Sequence, residues 1–254
     1  MQIHFLRHAT LVLAIEGVYI LVDPMLSPAG AMPPVANAAN DHRIPLVDLP
    51  LAEVELAYML GHIDAVLVTH THRDHWDPRA IELLRKQIPI FCQPEDEAKI
   101  QQAGFAVVHP IQTQYVWRGV EFQRTGGRHG TGEIGAQMAP VSGFVLRAAG
   151  EPTLYIAGDT IWCSEVEQAL HSYQPDVAIV NAGAAQFLTG DPITMTAEDV
   201  AQVCRALPES QVIAVHMEAV NHCLLTRADL SVRLEEQGLA SRVLIPGDGT
   251  LVEL

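Results

Sequence analysis

LVTHTHRDHWDP, running from Leu67 to Pro78, sets three histidines and two aspartates within eight positions, directly behind a run of aliphatic residues. In extended chain, residues two apart face the same way, so His70 and His72 present their imidazoles to one point beyond the strand DAVLVT. As the chain turns towards the next helix, Asp74 and His75 face a neighbouring point. Imidazole nitrogens and carboxylate oxygens suit zinc, manganese or iron, and the motif contains no cysteine. One histidine alone is commonly an ordinary surface or core residue. Four metal-ligand side chains packed behind a buried strand point instead to a metal site.

Outward from this stretch, Asp77 and Pro78 read as the N-cap and first position of a helix over PRAIELLRKQ. Upstream, QIHFL, TLVLAI and VYILV read as strands, and LAEVELAYML as a helix. The proline- and glycine-rich segment Pro24–Leu49 lies between them. A loop of that length inside a compact domain is usually functional, and we expect it to form part of a pocket wall. Downstream, IPIFC, FAVVH, QYVW and VEFQRT are strands, with a helix opening at Pro94. VSGFVLRAA and TLYIAG form a hairpin turning near Gly150. Helices near Cys163–His171, over TAEDVAQVCRAL and over RADLSVRLEEQ then alternate with strands DVAIV, QVIAVH, RVLI and TLVEL. Each half of the chain begins with hairpins and continues with alternating helices and strands. Two packed sheets with helices on both outer sides satisfy that order: an α/β fold, as a four-layer αββα sandwich.

The chain has 254 residues, enough for a substantial core, and we expect one domain over 1–254. Fifteen basic against thirty acidic residues give a net charge of −15. That balance disfavours broad attraction to nucleic acid or anionic membrane, so the expected partner is a small-molecule substrate, with a homo-oligomer left open. Cys92, Cys163, Cys204 and Cys223 are dispersed and form no CxxC pair, as buried free thiols in a reducing compartment would be. The N-terminus lacks signal-peptide order, and no apolar run approaches the roughly 18 residues of a membrane span. A cytoplasmic location is the expectation.

HTHRDH (His70, His72, Asp74, His75) resembles the HxHxDH signature of the metallo-β-lactamase-fold hydrolases. The opening RHATLVLAIEGVYILVDP resembles the branch that includes L-ascorbate-6-phosphate lactonase and the N-acyl-phosphatidylethanolamine phospholipases D, with Arg7 standing where that branch has glycine. Three further positions fit the family order: His129 in GGRHGTG, Asp159 in LYIAGDT and His216 in VIAVH. The resemblance implies two divalent metal ions, zinc first and manganese or iron as alternatives. It implies His70, His72 and His129 on one ion, Asp74, His75 and His216 on the other, and Asp159 bridging. A metal-bridging hydroxide would then attack a lactone, ester, amide or phosphodiester bond, with Asp74 or Asp159 orienting the water or moving its proton.

Candidates around this set are His8 and Asp23, as hydrogen-bond partners of ligating histidines, and His222, as a substrate contact or proton donor rather than a ligand. Asp23 also fits a turn cap before Pro24, and His222 an ordinary loop histidine. Arg128 could pair with an anionic substrate. Trp76, Trp162 and Phe187 could line the pocket, although aromatic side chains default to core packing. Cys163 and Cys223 lack a paired base and read as packing residues. The competing functions are a nuclease, against which the acidity counts, and a non-catalytic metal-binding protein, against which the full ligand set counts. A flavin-dependent di-iron oxidoreductase would need a flavodoxin-like domain, and none fits here.

Overall fold

The aliphatic runs of the first half form β1 (Gln2–Arg7), β2 (Thr10–Ile15) and β3 (Val18–Val22), an antiparallel meander. The computed structural model describes residues 1–138 and 140–254. Three parallel strands extend this sheet, each reached through a helix. They are α1 (Glu53–His62) to β4 (Ala65–Val68), α2 (Pro78–Leu83) to β5 (Ile90–Cys92), and α3 (Glu97–Gln102) to β6 (Val108–Pro110). The second half repeats the plan. β7 (Gln114–Trp117), β8 (Val120–Thr125), β9 (Gly143–Arg147) and β10 (Leu154–Ile156) are antiparallel, with the short α4 (Gly132–Gln137) between β8 and β9. Then α5 (Ser164–Tyr173), β11 (Val177–Asn181), α6 (Ala197–Ala206), β12 (Gln211–Val215), α7 (Arg227–Glu236) and β13 (Val243–Leu244) add in parallel register.

The closing strand β14 (Leu251–Glu253) crosses back to β1, pairing Ile3 with Val252. The described residues therefore make two seven-stranded sheets, in the orders β14-β1-β2-β3-β4-β5-β6 and β13-β12-β11-β10-β9-β8-β7. Alternation along the strands sends one set of side chains between the sheets. Phe5, Leu13 and Phe91 meet Phe122, Phe144 and Ile179 there. The opposite faces are covered by helices, α1 to α3 over the first sheet and α5 to α7 over the second. This is the expected αββα order. Each fully buried leucine, isoleucine or phenylalanine adds about 1.5–3 kcal/mol relative to exposure, so the three apolar layers carry the stability of the fold.

One local expectation is corrected. The helix read over PRAIELLRKQ stops at Leu83, because Leu84 turns extended and is buried with Ile88 against the sheet. Trp76 takes the core position that is the default for an aromatic side chain, packing on Phe105 in the layer outside the first sheet. Among the described residues no helix is long and apolar enough to cross a membrane.

The parallel sense of β1, β3 and β4 in one sheet, and of β8, β10, β11 and β12 in the other, brings their C-terminal ends to one edge of the sandwich. His8 follows β1, Asp23 follows β3, His70 follows β4, Asp159 follows β10, and His216 follows β12.

Candidate metal centre

Two groups of side chains converge at that edge. His70, His72, His129 and Asp159 form one, and His8, Asp74, His75 and His216 the other, with the potential donor atoms of each group within 4.8 Å of one another. Apart from half-buried His72, all of these are buried. Asp159 lies between the groups: its Oδ1 is 3.2 Å from His216 Nε2, and its Oδ2 is 3.3 Å from His75 Nε2 and 3.5 Å from His129 Nε2. The seven side chains read from the sequence are thus brought together, and Asp159 has the placement of a bridge. His8 joins the second group, with Nε2–H donating to Asp74 Oδ2 at 3.1 Å and its ring centroid 3.6 Å from that of His216.

The inward nitrogens crowd one another. His70 Nε2 is 3.0 Å from His72 Nδ1, His129 Nε2 is 3.3 Å from the same atom, and His75 Nε2 is 3.2 Å from His216 Nε2. Their outward nitrogens fix what these atoms carry in the neutral rings. His129 Nδ1–H donates to Ile193 O at 2.8 Å, and His75 Nδ1–H to Asp23 Oδ2 at 2.8 Å. His70 Nδ1–H donates to Thr69 Oγ1 at 3.1 Å, and the Thr69 hydroxyl donates in turn to Asp23 Oδ2 at 2.7 Å. In their neutral forms His70, His129 and His75 therefore turn bare Nε2 lone pairs inward, towards His72 Nδ1 and His216 Nε2, the orientation a metal-ligating histidine needs. The donor set of imidazole nitrogens around carboxylates fits a pair of divalent metal ions.

Charges follow the same logic. Burial would raise Asp74 and Asp159, but the surrounding histidines hold both well below the usual carboxylate range. Burial opposes protonation of His75, yet Asp159, Asp23 and Asp74 lift it to about 10. Burial, reinforced by His216, pushes His8 down to about 3.

Asp23, read as a hydrogen-bond partner, reaches both groups at once, through His75 directly and through Thr69 to His70; its Oδ1 also accepts the Thr69 backbone N–H at 2.7 Å. Two contributors escaped the sequence reading. Asn181, at the end of β11, donates Nδ2–H to Asp159 Oδ1 at 2.7 Å. Asn221 ties Val35 N, Val35 O and Asn40 O to the loop after β12. The available signal for Asn181 was its place as the polar residue closing an apolar strand, the same position that ligating residues occupy.

A cavity of about 200 Å³ opens onto the centre. His72, Asp74, His129 and Asp159 form its floor, and Val35, Ala36, Met138, Phe187 and Ile193 supply apolar wall. Val35 and Ala36 belong to the Pro24–Leu49 segment, which does reach the pocket. Phe187 is there, whereas Trp162 packs beside α5. His222 also lines the cavity, outside both donor groups, with Nδ1 buried and unpaired. Burial pushes His222 down to about 4. Arg128 donates to Glu165 and Ser164 and lines not this cavity but a neighbouring one of about 440 Å³ that shares His129 and Met138 with it. Arg73, the one cation among the described lining residues, donates Nη2–H to Pro34 O at 2.6 Å. Cys163 is buried against α5 and Cys223 stands 3.6 Å behind His216 Nδ1; burial pushes both thiols up, away from nucleophilic thiolates.

Comparison with known proteins places this geometry. Residues 19–217 match the family described as "Beta-lactamase superfamily domain". The chain is 37% identical to the UPF0173 protein YddR of Bacillus subtilis over 98% of both chains. It superposes on a possible metal-dependent hydrolase from Veillonella parvula with a TM-score of 0.95 and 38% identity, covering 100% of this chain and 99% of that one. An isothiocyanate hydrolase from Delia radicum gut bacteria gives a TM-score of 0.94 and 35% identity, again over 100% and 99%.

Proposed function

The chain belongs to the β-lactamase superfamily, as a metal-dependent hydrolase with two candidate His/Asp metal clusters, and we propose that its substrate is a small uncharged electrophile, an isothiocyanate first. The observation that carries this reading is the meeting of both clusters at Asp159 beneath a cavity of about 200 Å³ to which Val35, Ala36, Met138, Phe187 and Ile193 add apolar wall. Such a chamber suits a compact carbon electrophile with an apolar substituent better than a phosphodiester, because no arginine or lysine besides Arg73 lines it among the described residues. The likeness to an isothiocyanate hydrolase along the whole chain supports the same choice.

His70, His72 and His129 would hold one ion, Asp74, His75 and His216 the other, with Asp159 shared; zinc is the ion we propose. Divalent ions there would bring the pKa of a water molecule into the neutral range and polarise the electrophile. Asp74 and Asp159 would orient the attacking water, and His8 would hold the Asp74 carboxylate. Water adds its oxygen to the central carbon of R–N=C=S and a proton to nitrogen, giving a thiocarbamic acid. Breaking the C–N bond, with the remaining proton moving to nitrogen, releases R–NH₂ and carbonyl sulfide. His222, neutral at pH 7, would donate a hydrogen bond to the nitrogen or sulfur that gains charge. The apolar walls would take the R group.

The test is a screen against protein reconstituted separately with zinc, manganese and iron. Benzyl isothiocyanate, an acyl-homoserine lactone, p-nitrophenyl acetate and bis-p-nitrophenyl phosphate are the substrates. Amine release from the isothiocyanate, abolished by chelation and exceeding turnover of the others, is expected. Faster lactone turnover would return the assignment to the lactonase-like reading of the opening motif. Salt-sensitive RNA binding with RNA cleavage would favour the nuclease.

A further inference from the structure

Arg7 ends β1 one residue before His8 and is completely buried, the bulkiest of the fully buried side chains. Among the described residues its guanidinium makes no ion pair. Nη1–H donates to Val47 O at 2.7 Å, and Nη2–H donates to Met25 O at 2.6 Å and Ser27 O at 3.0 Å, while Nε is unpaired. All three acceptors are backbone carbonyls at the two roots of the Pro24–Leu49 segment. Asp77, also fully buried, takes the other side of the same peptide stretch: Oδ2 accepts from Ser27 N at 2.6 Å while Oδ1 caps α2 at Ala80 N. A cation and an anion, both buried, thus grip one loop root from its carbonyl and its N–H sides.

A buried charge without a direct counter-ion is costly, and apolar filling alone would not need one. Burial pulls Arg7 down to about 10, against the pull of Asp77, Asp248 and Asp48, which leaves it cationic at neutral pH. What these donors fix is the path of a loop whose far part forms roof over the cavity. Val35 and Ala36 line the chamber, Asn221 holds Val35, Arg73 holds Pro34, and Leu188 N donates to Asn37 O.

We propose that Arg7 and Asp77 form a clasp that sets the height of the Pro24–Leu49 roof over the cavity, making Arg7 a positioning residue for substrate fit. It touches neither donor group's atoms in this role. Opening the clasp loosens the roof and leaves the metal floor intact.

Arg43 gives a readout independent of turnover. It is the only arginine or lysine between Arg7 and Arg73, and it lies exposed in the loop. In the metal-loaded Arg7→Met protein, tryptic release of the 1–43 fragment is expected to accelerate by at least about tenfold, as local opening increases. KM for benzyl isothiocyanate should rise at least about fivefold with kcat within about twofold, and metal stoichiometry should not change. Asp77→Asn should shift Arg43 cleavage the same way, and the double variant should add little, because both groups hold one segment. Arg7→Lys, which keeps the charge but loses the fork, should fall between wild type and Arg7→Met, and it carries the test if Arg7→Met does not fold. Unchanged Arg43 cleavage in Arg7→Lys and Asp77→Asn, or metal loss in parallel with the KM change, would overturn the clasp. The KM arm rests on the proposed substrate: if wild type hydrolyses no isothiocyanate, that reading fails, and Arg43 cleavage decides the clasp alone.

Discussion

Replacing Asp23 by asparagine should damage both metal sites although Asp23 belongs to neither donor group. The Thr69 backbone N–H donates to Oδ1 and cannot reverse, so the asparagine oxygen must take that place. The amide NH₂ then occupies the Oδ2 position, facing His75 Nδ1 and Thr69 Oγ1, which now donate to Oδ2 at 2.8 Å and 2.7 Å. Both partners must become acceptors. His75 then carries its proton on Nε2. The Thr69 hydroxyl turns to donate towards His70 Nδ1, which puts the His70 proton on Nε2 as well. Each site loses one lone pair to an N–H pointing at the ion. Loss of an outer partner of a ligating histidine costs about 10–100-fold in metal affinity, equivalent to about 1.4–2.7 kcal/mol for each ion.

Asp23→Ala separates this reasoning from simple loss of packing. Alanine leaves the Thr69 N–H orphaned and should destabilise the fold by about 1–3 kcal/mol, yet it lets His75 and His70 choose either tautomer. Asparagine should therefore bind metal more weakly than alanine, while alanine unfolds more easily. Dialysis against graded chelator with elemental analysis, beside thermal unfolding of the same samples, measures both. Equal metal loss in the two variants, or loss of one equivalent only, would refute the tautomer argument.

Asp159→Ala should weaken both ions together, since one carboxylate stands between the two groups; retention of one full equivalent under metal excess would count against a bridge. His222→Ala should keep two equivalents and lose about 10²–10³-fold in turnover, the usual cost of a removed transition-state donor; full activity would return His222 to the rank of loop histidine. In the metal-free protein, burial works against the charge of His75, but Asp159, Asp23 and Asp74 raise it from 6.5 to about 10. A raised folded value stabilises below the unfolded value and is lost as pH rises, so the metal-free Tm should fall between pH 6.5 and 10 while the loaded protein stays flat. His216 is raised in the same sense, so metal uptake at pH 7 should release protons, readable with an indicator dye.

The four residues of HTHRDH were legible because they share one short connection, from the end of β4 to the start of α2, too short to carry their side chains far apart. The same logic fails across elements. His129 meets His72 across 57 positions, and His75 meets Asp23 across 52. His129, Asp159 and His216 were placed by family resemblance, since a strand-end histidine or aspartate says nothing alone about its neighbour in the other sheet. Trp76 shows the converse, adjacent in sequence to a ligand-type histidine yet in the default core position of an aromatic residue, buried on the outer side with Phe105. Arg7 was visible only as a departure from glycine; that it grips a loop root depends on Val47, a 40-position separation no pattern announces.

The backbone explains why these positions hold the residues they do. His8, Asp23 and His216 all have positive φ, at 61°, 42° and 70°, as strands end and the chain turns sharply across the sandwich edge. Glycine or asparagine relieves such a conformation, and a strained non-glycine residue there costs about 1–3 kcal/mol. Stability alone would put glycine at each. The side chains that stand there instead hold Asp74, orient two histidines and complete the second group. The strain is offset by apolar layers that lie away from this edge, between the sheets and beneath the helices. Glycine at position 8 or 216 should therefore relax the turn while dismantling the site, and at these two positions stability and metal binding select opposite residues.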